Sequence, residues 1–207
     1  VTRVDIYGIV GSDVFGQIIR EILTSSGVNC NKIQIQDANW STHVFHKIYE
    51  NGHEKPRYDI GNFNSADDML VQSLLTDLKS GLPLYDAVII NEQVIYGCHT
   101  ERFQKELCDI IDKNEHCCIW LTDCRHLNNV YHKSIRKLNK DEALALYNEK
   151  HPAASDIPTQ EELAAWLHVY WGKPVVITLG EEGVVAMGSD GKIIAIEGIN
   201  LIGPKDT

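Results

Sequence analysis

The feature that most constrains this chain is a repeated succession of short apolar runs and helix-periodic segments, in which the apolar runs tend to end in a small or polar residue. Val4 to Val10 reads as a strand running into Gly11-Ser12-Asp13. Phe15, Ile18, Ile19, Ile22 and Leu23 then recur at helical spacing until Gly27 stops the helix, and Lys32 to Gln36 alternates as a second strand. Further along, helices are expected over Ser65 to Leu78, through Phe103, Leu107, Ile110 and Ile111, and over Glu142 to Tyr147. Another opens at the capping box Thr159-Gln160-Glu161-Glu162, with Leu163, Trp166, Leu167 and Tyr170 on its face. Strands are expected at Ala87 to Ile90, Cys117 to Leu121, Ile135 to Leu138 and Val175 to Ile177, with a closing hairpin formed by Val184 to Met187 and Lys192 to Ile196. Such alternation predicts an α/β fold, a mainly parallel sheet with helices on both faces.

One stretch breaks the rhythm. Thr42 to Tyr49 and Arg57 to Ile60 flank Glu50-Asn51-Gly52-His53, and Asn-Gly between alternating runs is a hairpin signal. Residues 37–64 therefore read as an inserted antiparallel flap. A small sheet of this kind has an edge and an apolar face, so it must cover either a ligand or a second subunit.

The strand ends carry the functional information. Asn91-Glu92 follows Val88-Ile89-Ile90, Asp123 follows Ile119 to Thr122, Asn139 follows Lys137-Leu138, and Thr178 and Gly180 follow Val175-Val176-Ile177. In an open parallel sheet these positions line one edge, where ligands bind outside the carboxyl ends of the strands. Asn139-Lys140-Asp141-Glu142 has the spacing of a capping box. A carboxylate in that first turn can also face a metal–phosphate, because cap and ligand shell use different lone pairs. Thr178-Leu179-Gly180-Glu181-Glu182-Gly183 reads as a glycine-rich turn. It can also be a place where main-chain amides and the Thr178 hydroxyl approach a nucleotide. The glycines of Gly8 to Gly16 do not have the offsets of G-x-G-x-x-G, which argues against a dinucleotide fingerprint, and no G-x-x-x-x-G-K-[ST] loop is present.

Lys and Arg number 19 against 29 Asp and Glu, a formal charge of −10, so the chain has no general attraction to nucleic acid or anionic lipid. No apolar run approaches the roughly 20 residues of a membrane helix. Six irregularly spaced cysteines do not make a disulfide framework, and a reducing, cytoplasmic compartment is expected. His116, Cys117, Cys118, Cys124 and His126 are a poor zinc set. Adjacent strand residues face opposite ways, and Cys118 and Cys124 on one strand lie roughly 20 Å apart, against a zinc–sulfur bond of about 2.3 Å.

In this order the pieces resemble the PfkB (ribokinase-like) carbohydrate kinase family. Val4 to Gly16 is similar to its G-x-V-G-x-D-x-F-G segment, and Lys137 to Glu142 to its K-P-N-x-x-E motif with Leu138 at the Pro position. Thr178 to Gly183 resembles T-x-G-x-x-G, and Gly203-Pro204-Lys205-Asp206-Thr207 resembles the lead-in to D-T-x-G-A-G-D. The resemblance implies ATP-dependent phosphoryl transfer to a hydroxyl of a sugar or sugar phosphate. Asn139 and Glu142 would organise Mg²⁺ beside the phosphates, and Thr178, Gly180 and Gly183 would line the nucleotide site. Asp206 would help hold a monovalent cation such as K⁺, and Asn91 and Arg57 would meet the substrate. The flap would be a lid over the sugar and a homodimer contact. The family's catalytic base would lie past Thr207, so residues 1–207 are expected to form an incomplete domain without kinase activity of its own. The alternative is a non-catalytic member that binds nucleotide or sugar and acts through lid closure or dimerisation.

Overall fold

The computed structural model describes residues 3–152 and 156–199. Two compact units emerge, one of residues 1–84 and 94–110, the other of residues 85–93 and 111–207.

In the first unit, β1 (Asp5–Gly11) and β2 (Asn29–Gln36) pair in parallel, with Tyr7 opposite Lys32 and Gly11 opposite Gln36. Helix α1 (Val14–Ser25) connects them. Its N-cap Asp13 accepts from Gly16 N at 2.9 Å and from Thr42 N at 2.8 Å, while the Thr42 hydroxyl accepts from Gly11 N at 2.9 Å. The β1–α1 turn is thus tied to the root of the inserted strands. The expected apolar face of α1 is only partly used: Phe15, Ile19 and Leu23 are half-buried, whereas Ile18 and Ile22 are exposed. Two strands cover a narrower stripe than the wide sheet the periodicity suggests.

The insert holds an outer antiparallel pair, β3 (Val44–His46) with β6 (Tyr58–Ile60), and an inner pair, β4 (Tyr49–Glu50) with β5 (His53–Glu54). Asn51 (φ 52°) and Gly52 (φ 78°) turn between the inner strands. Two successive positive φ angles match the hairpin twist, and Asn-Gly adopts them at least cost. Helix α2 (Asp68–Gly81) starts three residues after the expected Ser65, is capped by Asp67, and buries Val71, Leu74, Leu75 and Leu78. The part of α3 (Glu101–Lys113) in this unit buries Phe103, Leu107 and Ile110.

The second unit is built on a six-stranded sheet in the order β12-β11-β10-β9-β8-β7. Strands β7 (Ala87–Glu92), β8 (Ile119–Cys124), β9 (Ile135–Asn139) and β10 (Val175–Thr178) are parallel. Strands β11 (Val184–Met187) and β12 (Ile193–Ile196) continue it antiparallel, as the closing hairpin predicted. Helices α4 (Lys140–Lys150) and α5 (Gln160–Trp171) lie between β9 and β10 in the chain and supply Ala143, Leu146, Leu163, Ala164 and Leu167 to a core shared with Leu138, Val175, Ile177, Val185 and Met187. Truncating one of these fully enclosed side chains, such as Leu167, costs about 2–5 kcal/mol. The strand residues of this core alternate with half-buried ones, and the same parity puts Ile90, Glu92, Trp120, Thr122, Cys124 and Arg136 on the covered face.

Arg136 is 1% exposed. Its guanidinium lies 4.4 Å from the Trp171 ring centre, and it donates to the carbonyls of Asn128 and Tyr131, both at 2.9 Å. Burial lowers its pKa to about 10, so it remains a cation at neutral pH. It fixes the segment between β8 and β9 from beneath.

Candidate functional site

The carboxyl ends of β7 to β10 bring the expected polar residues to one rim. Asn91 is level with Asp123, Asp123 with Lys137, and Asn139 with Thr178. Strict two-residue alternation puts all five on the same face of the sheet, opposite the core that α4 and α5 cover. Asn91 is exposed and the other four are half-buried. The Lys137 ammonium lies 3.1 Å from the Asp123 carboxylate, joining β8 to β9 along the rim.

At β9 the capping box is real. Glu142 N donates to Asn139 Oδ1 at 2.8 Å, and Asn139 N donates to Glu142 Oε2 at 3.0 Å. This fixes the Glu142 carboxylate at the amino end of α4 and leaves Oε1 and the remaining lone pairs for another partner. At β10 the Thr178 hydroxyl donates to the Leu138 carbonyl at 3.3 Å, a bond between strands and not yet to a ligand. The turn that follows closes on itself, with Leu179 N donating to Gly183 O at 2.8 Å. Its two glycines differ in kind. A Cβ on Gly183 (φ 102°) would lie 2.0 Å from the Ile196 carbonyl oxygen, so this glycine is required by packing. Gly180 (φ 61°) has open space where a Cβ would be. Lys140 reaches Glu182 at 3.5 Å and Gln160 reaches it at 3.3 Å, so the turn is tied to the first residues of both α4 and α5.

Arg57 belongs to the first unit. It makes a two-pronged ion pair with Asp59, Nε to Oδ1 at 2.6 Å and Nη2 to Oδ2 at 2.8 Å, and lies 4.4 Å from the centre of the Phe45 ring. The Asp59 bond holds the guanidinium pKa above its ordinary value, and the same bond holds the carboxyl below its own. Asp206 lies outside the described residues.

Two further groups stand at the rim. The Asp123–Lys137 pair is one. The other is Glu92, whose side chain is 2% exposed and receives both the ring Nδ1 and the main-chain N–H of His126 at 2.8 Å. Lys137 was visible only as part of a motif. Glu92 and His126 are 34 positions apart, and only the parallel pairing of β7 with β8 brings them together.

A parallel sheet with a polar carboxyl rim, a capped carboxylate after one inner strand and a glycine turn after the next defines a ribokinase-like α/β protein. The chain belongs to the pfkB family of carbohydrate kinases, whose sequence model matches residues 1–199. Among solved structures it is similar to a PfkB protein from Polaromonas sp. JS666 (16% identity, TM-score 0.71, covering 95% of this chain and 67% of that one). It is also similar to ribokinase from Giardia lamblia (18% identity, TM-score 0.69, 97% and 61%). A third likeness is to a protein assigned as a ribokinase II from E. coli, in complex with ATP and Mg²⁺ (18% identity, TM-score 0.68, 97% and 64%). The chain thus spans 61–67% of the length of these three structures. No curated protein sequence matches it. Among the described residues, no helix is long and apolar enough to cross a membrane.

Proposed function

We propose that the complete protein is an ATP-dependent kinase for a sugar or sugar phosphate, working in the cytoplasm, and that the rim at β9 and β10 is its nucleotide site. The observation that carries this reading is the side-by-side placement of Asn139 and Thr178, with the Glu142 carboxylate fixed at the helix that starts there. The residues fit the group they would meet. Mg²⁺ keeps most of its waters and takes one or two carboxylates besides the phosphates, and Glu142 retains an uncommitted oxygen. The open space at Gly180 leaves room for a ligand against the main chain.

Bound Mg²⁺ would neutralise charge on the phosphates during transfer. Glu142 would orient the metal's water shell, and Asn139 would hold Glu142. Thr178 would exchange its long bond to Leu138 for one to a phosphate oxygen. Asn91 would meet the acceptor at the β7 end of the rim. Arg57, with one fork face on Asp59, would offer its remaining N–H groups to the substrate. Asp206 would help hold a monovalent cation, and the base that receives the acceptor proton would lie past Thr207. Residues 37–64 would be the lid of one ribokinase-like domain spanning 1–207.

A second reading, a non-catalytic member acting through lid closure or dimerisation, is favoured by the insert's exposed Phe45, Ile48 and Tyr58. One experiment separates the two. A thermal-shift panel of MgATP, MgADP and sugars, run with a coupled ADP-release assay on the complete protein, should show nucleotide stabilisation and sugar-dependent turnover. Stabilisation by nucleotide or sugar without turnover supports the second reading, no nucleotide shift refutes the first, and no shift with either ligand refutes both.

A further inference from the structure

Glu92 is an unusual residue to enclose. A carboxylate out of water loses several kcal/mol of hydration, and here both oxygens are committed to one neighbour, His126. The imidazole itself is not enclosed, since its side chain is 39% exposed. A main-chain bond from Arg125 N to Glu92 O at 2.8 Å extends the β7–β8 pairing to this point, so the dyad stands at the carboxyl edge of those two strands.

The chemistry of the pair fixes more than a position. An ionised carboxylate only accepts, so Nδ1 must carry the proton in the bond to Glu92. In the neutral ring Nε2 is then a lone-pair acceptor, and it has no protein partner among the described residues. A surface tie between two loops would need neither the enclosed charge nor a fixed tautomer. Neighbouring strands are about 4.8 Å apart, so β8 stands two spacings, roughly 10 Å, from the β10 end assigned to nucleotide. That is the side of the rim where a phosphoryl acceptor would stand.

Resting on the proposed kinase reading, we infer that Glu92 and His126 form a substrate-recognition dyad, in which Nε2 accepts a hydrogen bond from a hydroxyl of the acceptor sugar and Glu92 is the positioning residue that sets the tautomer. This role is binding and orientation, separate from the base expected past Thr207. It makes a hydroxyl-bearing substrate, not a carboxylate or a bare phosphate, the class recognised at this end of the rim.

The test uses the complete protein, with nitrogen NMR of the histidine rings and calorimetric titration of MgADP and of four probes: a pentose, a hexose, a hexose phosphate and a heptose phosphate. The wild type should show the Nδ1–H form at His126, and Glu92→Gln should shift the ring towards the Nε2–H form, because the amide oxygen is taken by the His126 main-chain N–H and the NH2 then faces Nδ1. His126→Ala should weaken the bound sugar about tenfold or more and leave MgADP affinity unchanged, while the melting temperature falls because one enclosed Glu92 oxygen loses its donor. Glu92→Gln should weaken the sugar by a smaller factor. An Nε2–H ring in the wild type, or equal sugar affinity in His126→Ala, overturns the dyad while MgADP binding keeps the kinase reading intact. A wild type that binds MgADP and none of the four sugars sinks the sugar-kinase reading and the dyad together.

Discussion

Replacing Glu142 by Gln separates the two roles that the β9–α4 junction combines. The side chain accepts from Asn139 N at 3.0 Å, and its own main-chain N–H reaches Asn139 Oδ1 at 2.8 Å. Glutamine serves equally well in the third helical position of a capping box, so both bonds survive. What disappears is a negative charge in the first turn of α4, worth about 0.3–1 kcal/mol. In a chain of 207 residues, where 1 kcal/mol moves Tm by roughly 2–4 °C, the loss corresponds to about 0.6–4 °C. If Glu142 also orients the water shell of Mg²⁺, kcat should fall about 10–100-fold, the usual cost of removing a partner one step from the metal. The Mg²⁺ concentration for half-maximal rate should rise as well. Asn139→Ala is the complementary change. It removes the cap oxygen and costs about 1 kcal/mol, while the Asn139 main-chain N–H still donates to the Glu142 carboxylate, so the Mg²⁺ dependence should change less than in Glu142→Gln. The assay is sugar-dependent ADP release across a Mg²⁺ titration, with melting curves in parallel. A Glu142→Gln protein with unchanged kcat and unchanged Mg²⁺ dependence would refute the reasoning and leave Glu142 as a helix cap alone.

The remaining expectations concern neighbouring groups. Thr178→Val loses only a 3.3 Å bond within the protein, so stability should hold while calorimetry shows nucleotide binding weakened by about 1–2 kcal/mol; equal affinity would remove Thr178 from the site. Gly183→Ala forces a Cβ to within 2.0 Å of the Ile196 carbonyl at φ 102°; the turn should shift and the melting temperature drop measurably, whereas Gly180→Ala, with open space, should cost less, and equal effects would contradict the packing argument. Arg136→Met should keep much of the packing volume but leave the Asn128 carbonyl without its donor, costing about 1–3 kcal/mol in urea unfolding; an unchanged midpoint would show that the carbonyl finds another partner. Lys173 at 2.6 Å and Lys133 at 3.1 Å hold the Glu115 carboxyl down at about 2, against an ordinary 4.5. A depressed carboxylate stabilises above its unfolded value, and that contribution disappears as pH falls from about 4.5 towards 2. Glu115→Gln should therefore flatten the acid side of the stability profile, and a profile identical to wild type would show the ion pair contributes nothing.

Local chemistry made much of this molecule legible in advance. Asn51-Gly52 announced its turn because few residues accept two successive positive φ angles, and Thr159 with Glu162 announced α5 because a capping box is a short-range pattern. The rim at Asn91, Asp123, Asn139 and Thr178 followed from strand ends that had only one edge to occupy in a parallel sheet. Other features depend on pairing across space. Strand β8 runs on to Cys124, past the apolar run that marked it, because β7 supplies a partner as far as Glu92. Arg136 reads as a surface residue from its charge, and only the Trp171 ring and two carbonyls explain its burial. The Glu92–His126 contact leaves no periodicity to detect. Ile18 and Ile22 show the converse: a helical stripe states which residues could be covered, and the width of the neighbouring sheet decides which are.

The central claim is that nucleotide binds where β9 and β10 end. Hydrogen–deuterium exchange on the complete protein, with and without MgADP, tests it without requiring the sugar. Slowed exchange is expected in residues 138–143 and 178–184. Protection confined to other segments, with these two unchanged at saturating nucleotide, would contradict it.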